Sequence, residues 1–266
     1  MEQQEYTQIS YSIQSLLGID LSHYKDKQMR RRLDSWLARV DYSDWETYFS
    51  RLRSDDAEQE RFRNYITINV SQFFRDPPRW ETMRTQVLPD LLHRGNGKDV
   101  HIPRLHVWSA GCSIGAEAYT LAILLDDLAH GSNHYILGTD IDRGALIKAR
   151  QGGPYSDEDV RDVPPLFLDR HFTQREDAWT ISDQLRSTVQ FKEQDLLNDE
   201  PEMRFDLIVC RNVVIYFTQA TKEMLYRKFA DHLKPGGTLF LGGTEIIPRP
   251  QEFNLTTKGI SLYGRS

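Results

Sequence analysis

The 266-residue chain has only two cysteines, Cys112 and Cys210. Two are too few for a disulfide framework and suit a reducing compartment. No apolar run approaches the roughly 20 residues that span a bilayer. The opening MEQQEYTQIS is polar and acidic, unlike a secretory signal. There is no internal repeat, no low-complexity tract and no GxGxxG, so the dinucleotide fingerprint is missing. The eight histidines lack metal-ligand spacing: His130 and His134 flank Gly131-Ser132-Asn133, which reads as a loop. Positive charge is in deficit, with 33 Lys and Arg against 39 Asp and Glu, for a net charge of −6. Such a chain is a poor general binder of nucleic acid. What is present is an ordinary globular composition, 39% hydrophobic and 27% charged. It allows one large domain, or a moderate domain with a small partner, in a cytoplasmic protein without membrane insertion.

The first 85 residues read as helical. Asp20 is a candidate cap, and Met29, Leu33, Trp36, Leu37 and Val40 recur at helical spacing. Ser43 with Glu46 has the form of a capping box before Trp45, Tyr48, Phe49 and Leu52. Pro77-Pro78 stops whatever precedes it. From about residue 104 the pattern alternates. Strands are expected at Leu105–Trp108, Tyr135–Gly138, Val189–Phe191, Phe205–Cys210 and Thr238–Leu241. Helices are expected at Glu117–Leu128, Arg143–Gln151 and Ala220–Leu233, the last stopping at Lys234-Pro235-Gly236-Gly237. Strands alternating with helices predict an α/β, doubly wound, Rossmann-like sheet. The division expected is an N-terminal helical domain over 1–85 and a sheet domain over 86–266. The long connection from Gly152 to Thr188 predicts a small inserted β subdomain at about 165–190, with a hairpin from Phe172 to Ile181.

Four segments stand out. The turn Ser109-Ala110-Gly111-Cys112-Ser113-Ile114-Gly115 follows the first strand, and its small residues serve either tight packing or close approach of a ligand. Asp140 and Asp142 follow the second strand. One carboxylate is placed for ribose hydroxyls and the other for a helix cap, Asp140 and Asp142 respectively. A nucleoside site without a phosphate fingerprint favours S-adenosylmethionine over NAD. Arg211, Asn212 and Tyr216 follow the strand FDLIVC, where functional side chains tend to be displayed, while Val213, Val214 and Ile215 read as core. The fourth segment, Asn69-Val70-Ser71-Gln72-Phe73-Phe74-Arg75, read alone, is linker packing. Cys112 and Cys210 read as small apolar fillers.

Together these segments resemble the chemotaxis receptor methyltransferase (CheR) family. Its N-x-[ST]-x-F-[FY]-R element corresponds to Asn69–Arg75. The small-residue turn corresponds to Ser109–Tyr119, T-D-I-D to Thr139–Asp142, C-R-N-x-x-I-Y-F to Cys210–Phe217, and G-x-[ST]-E to Gly242–Glu245. Five matches in order over nearly the whole chain are specific. The chain departs from the family's pattern at Ala116-Glu117-Ala118-Tyr119 (usually Glu-Glu-Pro-Tyr), at Asp195 (usually Asn) and at Ile114 (usually Thr).

The resemblance implies an S-adenosylmethionine-dependent protein-glutamate O-methyltransferase that uses no metal. It implies cofactor contacts at Asn69, Ser71, Arg75, Glu117, Asp140, Asp195, Leu196, Arg211 and Asn212. Arg75 and Tyr216 correspond to residues near the transferred methyl. The implied partner is the cytoplasmic helical bundle of methyl-accepting chemotaxis receptors, acted on by a monomer recruited to receptor arrays. The helical domain would dock on that bundle through its basic segment, with Arg31, Arg32 and Arg39 as the docking residues. The segment Thr173–Trp179 is short and glycine-free, similar to the members that do not use a C-terminal receptor tether. Two alternatives stand beside this: a non-catalytic cofactor-binding signalling module, and a small-molecule methyltransferase.

Overall fold

The computed structural model describes residues 1–67, 71–94 and 104–266. These fall into two compact units.

In the first unit, α1 (Gln3–Leu17) buries Tyr6, Ile9, Ile13 and Leu17, a stripe spaced three and four residues apart. It ends at Gly18, whose φ of 72° lets its N–H turn back to the Gln14 carbonyl. Helix α2 (Asp26–Arg39) buries Met29, Leu33 and Trp36 against α3 (Trp45–Leu52) and α4 (Asp56–Thr67). The aromatic centre is satisfied as well as packed: Trp36 Nε1 donates to Tyr48 Oη (2.8 Å), which donates to Glu58 (2.9 Å). The expected capping box does not form at Ser43. The cap is Asp44, whose carboxylate accepts from the Thr47 N–H (2.8 Å), while Ser43 Oγ donates to Asp44 (2.6 Å). With Trp45 as the first helical residue, Asp44 holds the extended backbone that a cap requires. Residues Ile215–Glu223 belong to this unit. The Lys25 N–H donates to the Tyr216 carbonyl and the Thr218 N–H to the His23 carbonyl, both at 2.9 Å, and the Tyr24 and Phe217 rings lie 5.0 Å apart.

The second unit begins with α5 (Pro77–Thr82). Here Pro77 opens a helix, occupying the position where a missing N–H costs nothing. A wide turn at Met83–Val87 leads into α6 (Leu88–Arg94). Strand β1 (His106–Ala110), α7 (Ala116–Leu128), β2 (Tyr135–Asp140) and α8 (Arg143–Gln151) alternate as the sequence predicts. The long insertion carries α9 (Asp157–Val160), α10 (Pro165–His171), the antiparallel pair β3 (Phe172–Arg175) and β4 (Ala178–Ile181), and α11 (Asp183–Arg186). The hairpin turns over two residues, Glu176-Asp177. Tyr155 exchanges two backbone hydrogen bonds with Trp179 and donates its hydroxyl to the Ile114 carbonyl (2.9 Å), fastening the hairpin to the turn after β1.

Strands β5 (Val189–Glu193) and β6 (Phe205–Cys210), helix α12 (Gln219–His232), and strands β7 (Leu233–Leu241), β8 (Leu255–Gly259) and β9 (Leu262–Arg265) complete the chain. The described strands form a sheet in the order β5-β2-β1-β6-β7-β9-β8. The first five are parallel, and β9 is antiparallel to both its neighbours. Strand β7 starts at Leu233, so Lys234-Pro235-Gly236-Gly237 runs inside it across a register shift opposite Phe205–Leu207 rather than ending the helix as a loop. The two C-terminal strands had no expectation attached. Helices cover the inner strands, which are buried nearly continuously, as parallel strands require. No described helix is long and apolar enough to cross a membrane.

Candidate functional site

The chain leaves β1 for β2 on one side of the sheet and later reaches β6 on the other. The order therefore reverses between β1 and β6, and the carboxyl ends of the strands there open a crevice. Two groups of side chains occupy these ends.

The first centres on Glu117, in the opening turn of α7. Ser109, on β1, donates its hydroxyl to the Glu117 carboxylate (2.7 Å). Burial pushes the Glu117 carboxyl up to about 7, against the pull of Arg211, Ser109 and Arg75 and with the push of Glu245. Four side chains from separate segments thus act on one carboxyl. Arg211 follows β6 and is buried between the rings of Trp80 (5.2 Å) and Phe240 (4.9 Å). Its Nη1 donates to the Arg75 carbonyl (2.9 Å) and its Nη2 lies 3.8 Å from Asp76. Arg211 Nε is buried with no protein partner among the described residues. Asn212 has a φ of 61°, in the left-handed region. Its N–H donates to Glu245 Oε2 (2.9 Å), which also accepts from the Gly242 N–H (2.5 Å).

The second group centres on Asp140, at the end of β2. Its carboxylate accepts from the N–H groups of Ser113 (2.7 Å) and Asp142 (2.9 Å). Burial outweighs those bonds and raises its carboxyl to about 6. Asp142 caps α8 by accepting from the Ala145 N–H (2.8 Å). Beside Asp140, the Gln194 N–H donates to the Asp140 carbonyl (2.9 Å), which brings the loop carrying Asp195 and Leu196 to the same edge. The Asp195 carboxylate accepts from the Leu197 N–H (2.8 Å) and the Asn198 side chain (2.7 Å), folding that loop on itself.

Packing dictates two glycines in the turn after β1. A Cβ on Gly111 would meet Val213 Cγ2 at 2.7 Å, and one on Gly115 would meet Ala149 Cβ at 2.9 Å, at φ values of 80° and 85°. Both thiols are buried and pushed far above their ordinary value by desolvation.

The second unit thus brings together Arg75, Glu117, Asp140, Asp195, Leu196, Arg211 and Asn212 along one row of strand ends. Ser71 lies partly buried in the strap before Phe73, and Asn69 lies outside the described residues. Tyr216, Arg31, Arg32 and Arg39 belong to the helical unit. There Tyr216 is near enough to Arg32 to act on its charge. Arg32 is half-buried, donating through Nε to the Tyr65 carbonyl (2.7 Å) and lying 4.2 Å from the Tyr65 ring centre. Arg31 and Arg39 are exposed. Sequence reasoning did not single out Ser109, Ser113 or Glu245 as site residues. Each had a signal of its element only: Ser109 and Ser113 lie in the small-residue turn, and Glu245 ends the Gly-Gly-Thr-Glu element.

The model of the CheR methyltransferase all-alpha domain matches residues 4–67, and that of the CheR methyltransferase SAM binding domain matches residues 69–260. The chain belongs to the CheR methyltransferase family. Chemotaxis protein methyltransferases of Listeria innocua and Listeria monocytogenes are each 39% identical to this CheR-family chain over 262 residues, covering 98% of it and 97% of theirs. That of Klebsiella aerogenes is 32% identical over 270 residues, covering 97% of this chain and 88% of its own. The seven-stranded sheet is therefore the SAM-binding domain of a CheR methyltransferase, and the helical unit carries the family's all-alpha domain.

The crevice residues fit that cofactor chemically. Glu117 and Asp140 are surrounded by protein on almost every side yet each keeps an accessible face. A ligand bearing an ammonium group and ribose hydroxyls supplies a cation and donors to the face that the protein leaves open on each carboxylate.

Proposed function

We propose that the protein transfers methyl groups to glutamate side chains of methyl-accepting chemotaxis receptors, giving glutamyl methyl esters. The observation that carries this reading is the pair of buried, upshifted carboxyls, Glu117 in the opening turn of α7 facing Arg211 and Asp140 at the end of the neighbouring β2. S-adenosylmethionine supplies a methyl group on a positively charged sulfur and leaves as S-adenosylhomocysteine. Glu117 holds the ammonium of its methionyl part, and Asp140 accepts from the ribose hydroxyls. Asn69, Ser71, Asp195, Leu196, Arg211 and Asn212 supply the remaining contacts.

The acceptor glutamate is already ionised near neutral pH, with an ordinary carboxyl value of about 4.3, so its oxygen attacks without a general base. A carboxylate becomes an ester and no proton moves. What the chain must provide is alignment and exclusion of water. Arg75 orients a carboxylate, and Tyr216 orients the acceptor oxygen through its hydroxyl. Neither grips that oxygen tightly, since a strong donor would reduce its nucleophilicity.

Calorimetric titration with S-adenosylmethionine and S-adenosylhomocysteine tests the cofactor half. Wild type binds both, and Asp140→Ala loses binding while its circular dichroism is unchanged. Transfer of labelled methyl to receptor cytoplasmic fragments tests the chemical half. Arg75→Ala abolishes incorporation in a folded protein, and a fully active Arg75→Ala would refute the assigned role.

A further inference from the structure

Lys228 is a charged residue on the inner face of α12, and its side chain is only 6% exposed. Its ammonium donates to three main-chain carbonyls, those of Leu196 (3.1 Å), Leu197 (3.2 Å) and Asp199 (2.8 Å), and lies 3.3 Å from Glu200 Oε1. An ammonium has three N–H donors, so one side chain is saturated by one loop. Burying a charge is costly unless every donor is filled, and a helix position on an apolar face takes leucine or methionine more cheaply.

The loop so held is the one that leaves β5. The Gln194 N–H fixes its start to the Asp140 carbonyl (2.9 Å). Its turn is laced by Asp195 N–H to the Asp199 carboxylate (2.8 Å), Asp199 N–H to the Asp195 carbonyl (2.9 Å) and the two bonds accepted by the Asp195 carboxylate. These bonds give the loop its shape. Among the described residues, the bonds of Lys228 tie its far end to α12, and Glu200 adds a second tie to His232 at 3.7 Å.

We propose that Lys228 is a positioning residue for the ligand site. It holds the Asp195–Asp199 loop at a fixed height above the strand ends, so that Asp195 and Leu196 stand beside Asp140 before any ligand arrives. This rests on the cofactor reading above. Lys228 itself touches neither cofactor nor acceptor. Its loss therefore leaves the reacting atoms in place and lets the loop sample positions in which the adenosine part of the ligand is unsupported.

The test uses full-length Lys228→Met, which keeps the stem and removes the ammonium, and Glu200→Gln, which leaves the lysine buried and removes its ion partner at an exposed site. Binding of S-adenosylhomocysteine is measured by calorimetry, and KM and kcat for S-adenosylmethionine with saturating receptor fragment. For Lys228→Met the expected result is a 10- to 100-fold weaker affinity and a matching rise in KM, with kcat within about twofold of wild type. Lys228→Arg recovers part of the affinity, because a planar fork cannot aim three donors at one turn. Should Lys228→Met fail to fold, Glu200→Gln carries the test with a threefold or larger loss of affinity. Unchanged affinity in folded variants, or kcat falling as far as KM rises, overturns the proposal. Wild type that binds no S-adenosylhomocysteine overturns the cofactor reading instead.

Discussion

Asn212 is a branched polar residue held at a φ of 61° at the end of β6. Asparagine enters that region at less cost than other side chains, and its surroundings decide where it does so. Here the imposing group is the buried Glu245 carboxylate, which clamps the N–H groups of Asn212 and Gly242 and so binds the exit of β6 to the exit of β7. Hydrogen bonds to a charged acceptor contribute about 1.5–3 kcal/mol. Replacing Glu245 with Gln keeps the shape and removes the charge. The expected outcome is roughly 10-fold weaker S-adenosylhomocysteine binding in calorimetry, with near-native circular dichroism. Glu245→Ala adds a cavity and lowers Tm by several degrees. A Glu245→Gln protein with wild-type affinity would show that the Asn212 conformation does not depend on the Glu245 charge. Motif position pointed to Glu245, but nothing in the residue order indicates that an acid 33 residues downstream caps the Asn212 turn.

Among the elements, α2 shows how far helical periodicity carries an inference. It placed Met29, Leu33 and Trp36 inward, and they are buried. At 100° per residue Arg32 and Arg39 share a flank away from that face, with Arg31 nearby, yet Arg32 reaches back along its own stem to the Tyr65 carbonyl and ring, a contact 33 residues away that no local spacing encodes. The three arginines therefore have different expected phenotypes. Reversing Arg31 and Arg39 together to Glu should cut methylation of receptor fragments at low salt at least 10-fold and leave S-adenosylhomocysteine titration unchanged. Arg32→Glu should lower Tm first, because it half-buries a carboxylate against a carbonyl, at a cost of roughly 2–4 kcal/mol. Equal loss of receptor methylation and ligand binding in the Arg31 and Arg39 variant would remove α2 as the docking element.

The inner strands were readable because burial on both faces demands runs such as FDLIVC. The edge pair β8 and β9 was not, because Thr256, Thr257 and Lys258 face solvent, leaving Leu255 as the buried residue of β8, and the apolar run of β9 is only Leu262-Tyr263. Lys234-Pro235-Gly236-Gly237 misled for a related reason. Its backbone is accommodated by the register shift opposite Phe205–Leu207, a property of the partner strand.

For the whole molecule, the site's acids couple ligand binding to stability and pH. The Glu117 and Asp140 carboxyls lie at about 7 and about 6, above ordinary values of 4.5 and 3.8, because burial disfavours their charged forms. Between the ordinary and native values the folded chain holds more protons than the unfolded chain. Stability from these two groups is therefore complete at low pH and is lost as pH rises towards 7. Asp20, Asp44, Glu81 and Glu202 are shifted the other way by hydrogen bonds and lose their contribution as pH falls. The total curve mixes both signs, so the informative quantity is the difference between wild type and Glu117→Gln. Without ligand, Glu117→Gln should melt at the same temperature as wild type near pH 5 and several degrees higher at pH 8, where wild type must keep an ionised carboxyl buried. With S-adenosylhomocysteine at about 100 times Kd, mass action adds roughly 2.7 kcal/mol to wild type. The order should then reverse at pH 8, because the ionised Glu117 has its cation and the amide does not. Affinity in wild type should rise from pH 6 to 8 with proton release on binding, and lose most of that slope in Glu117→Gln. A difference in Tm that stays flat from pH 5 to 8, with and without ligand, would mean that Glu117 titrates as a surface carboxylate and that the crevice gains nothing from holding it out of water.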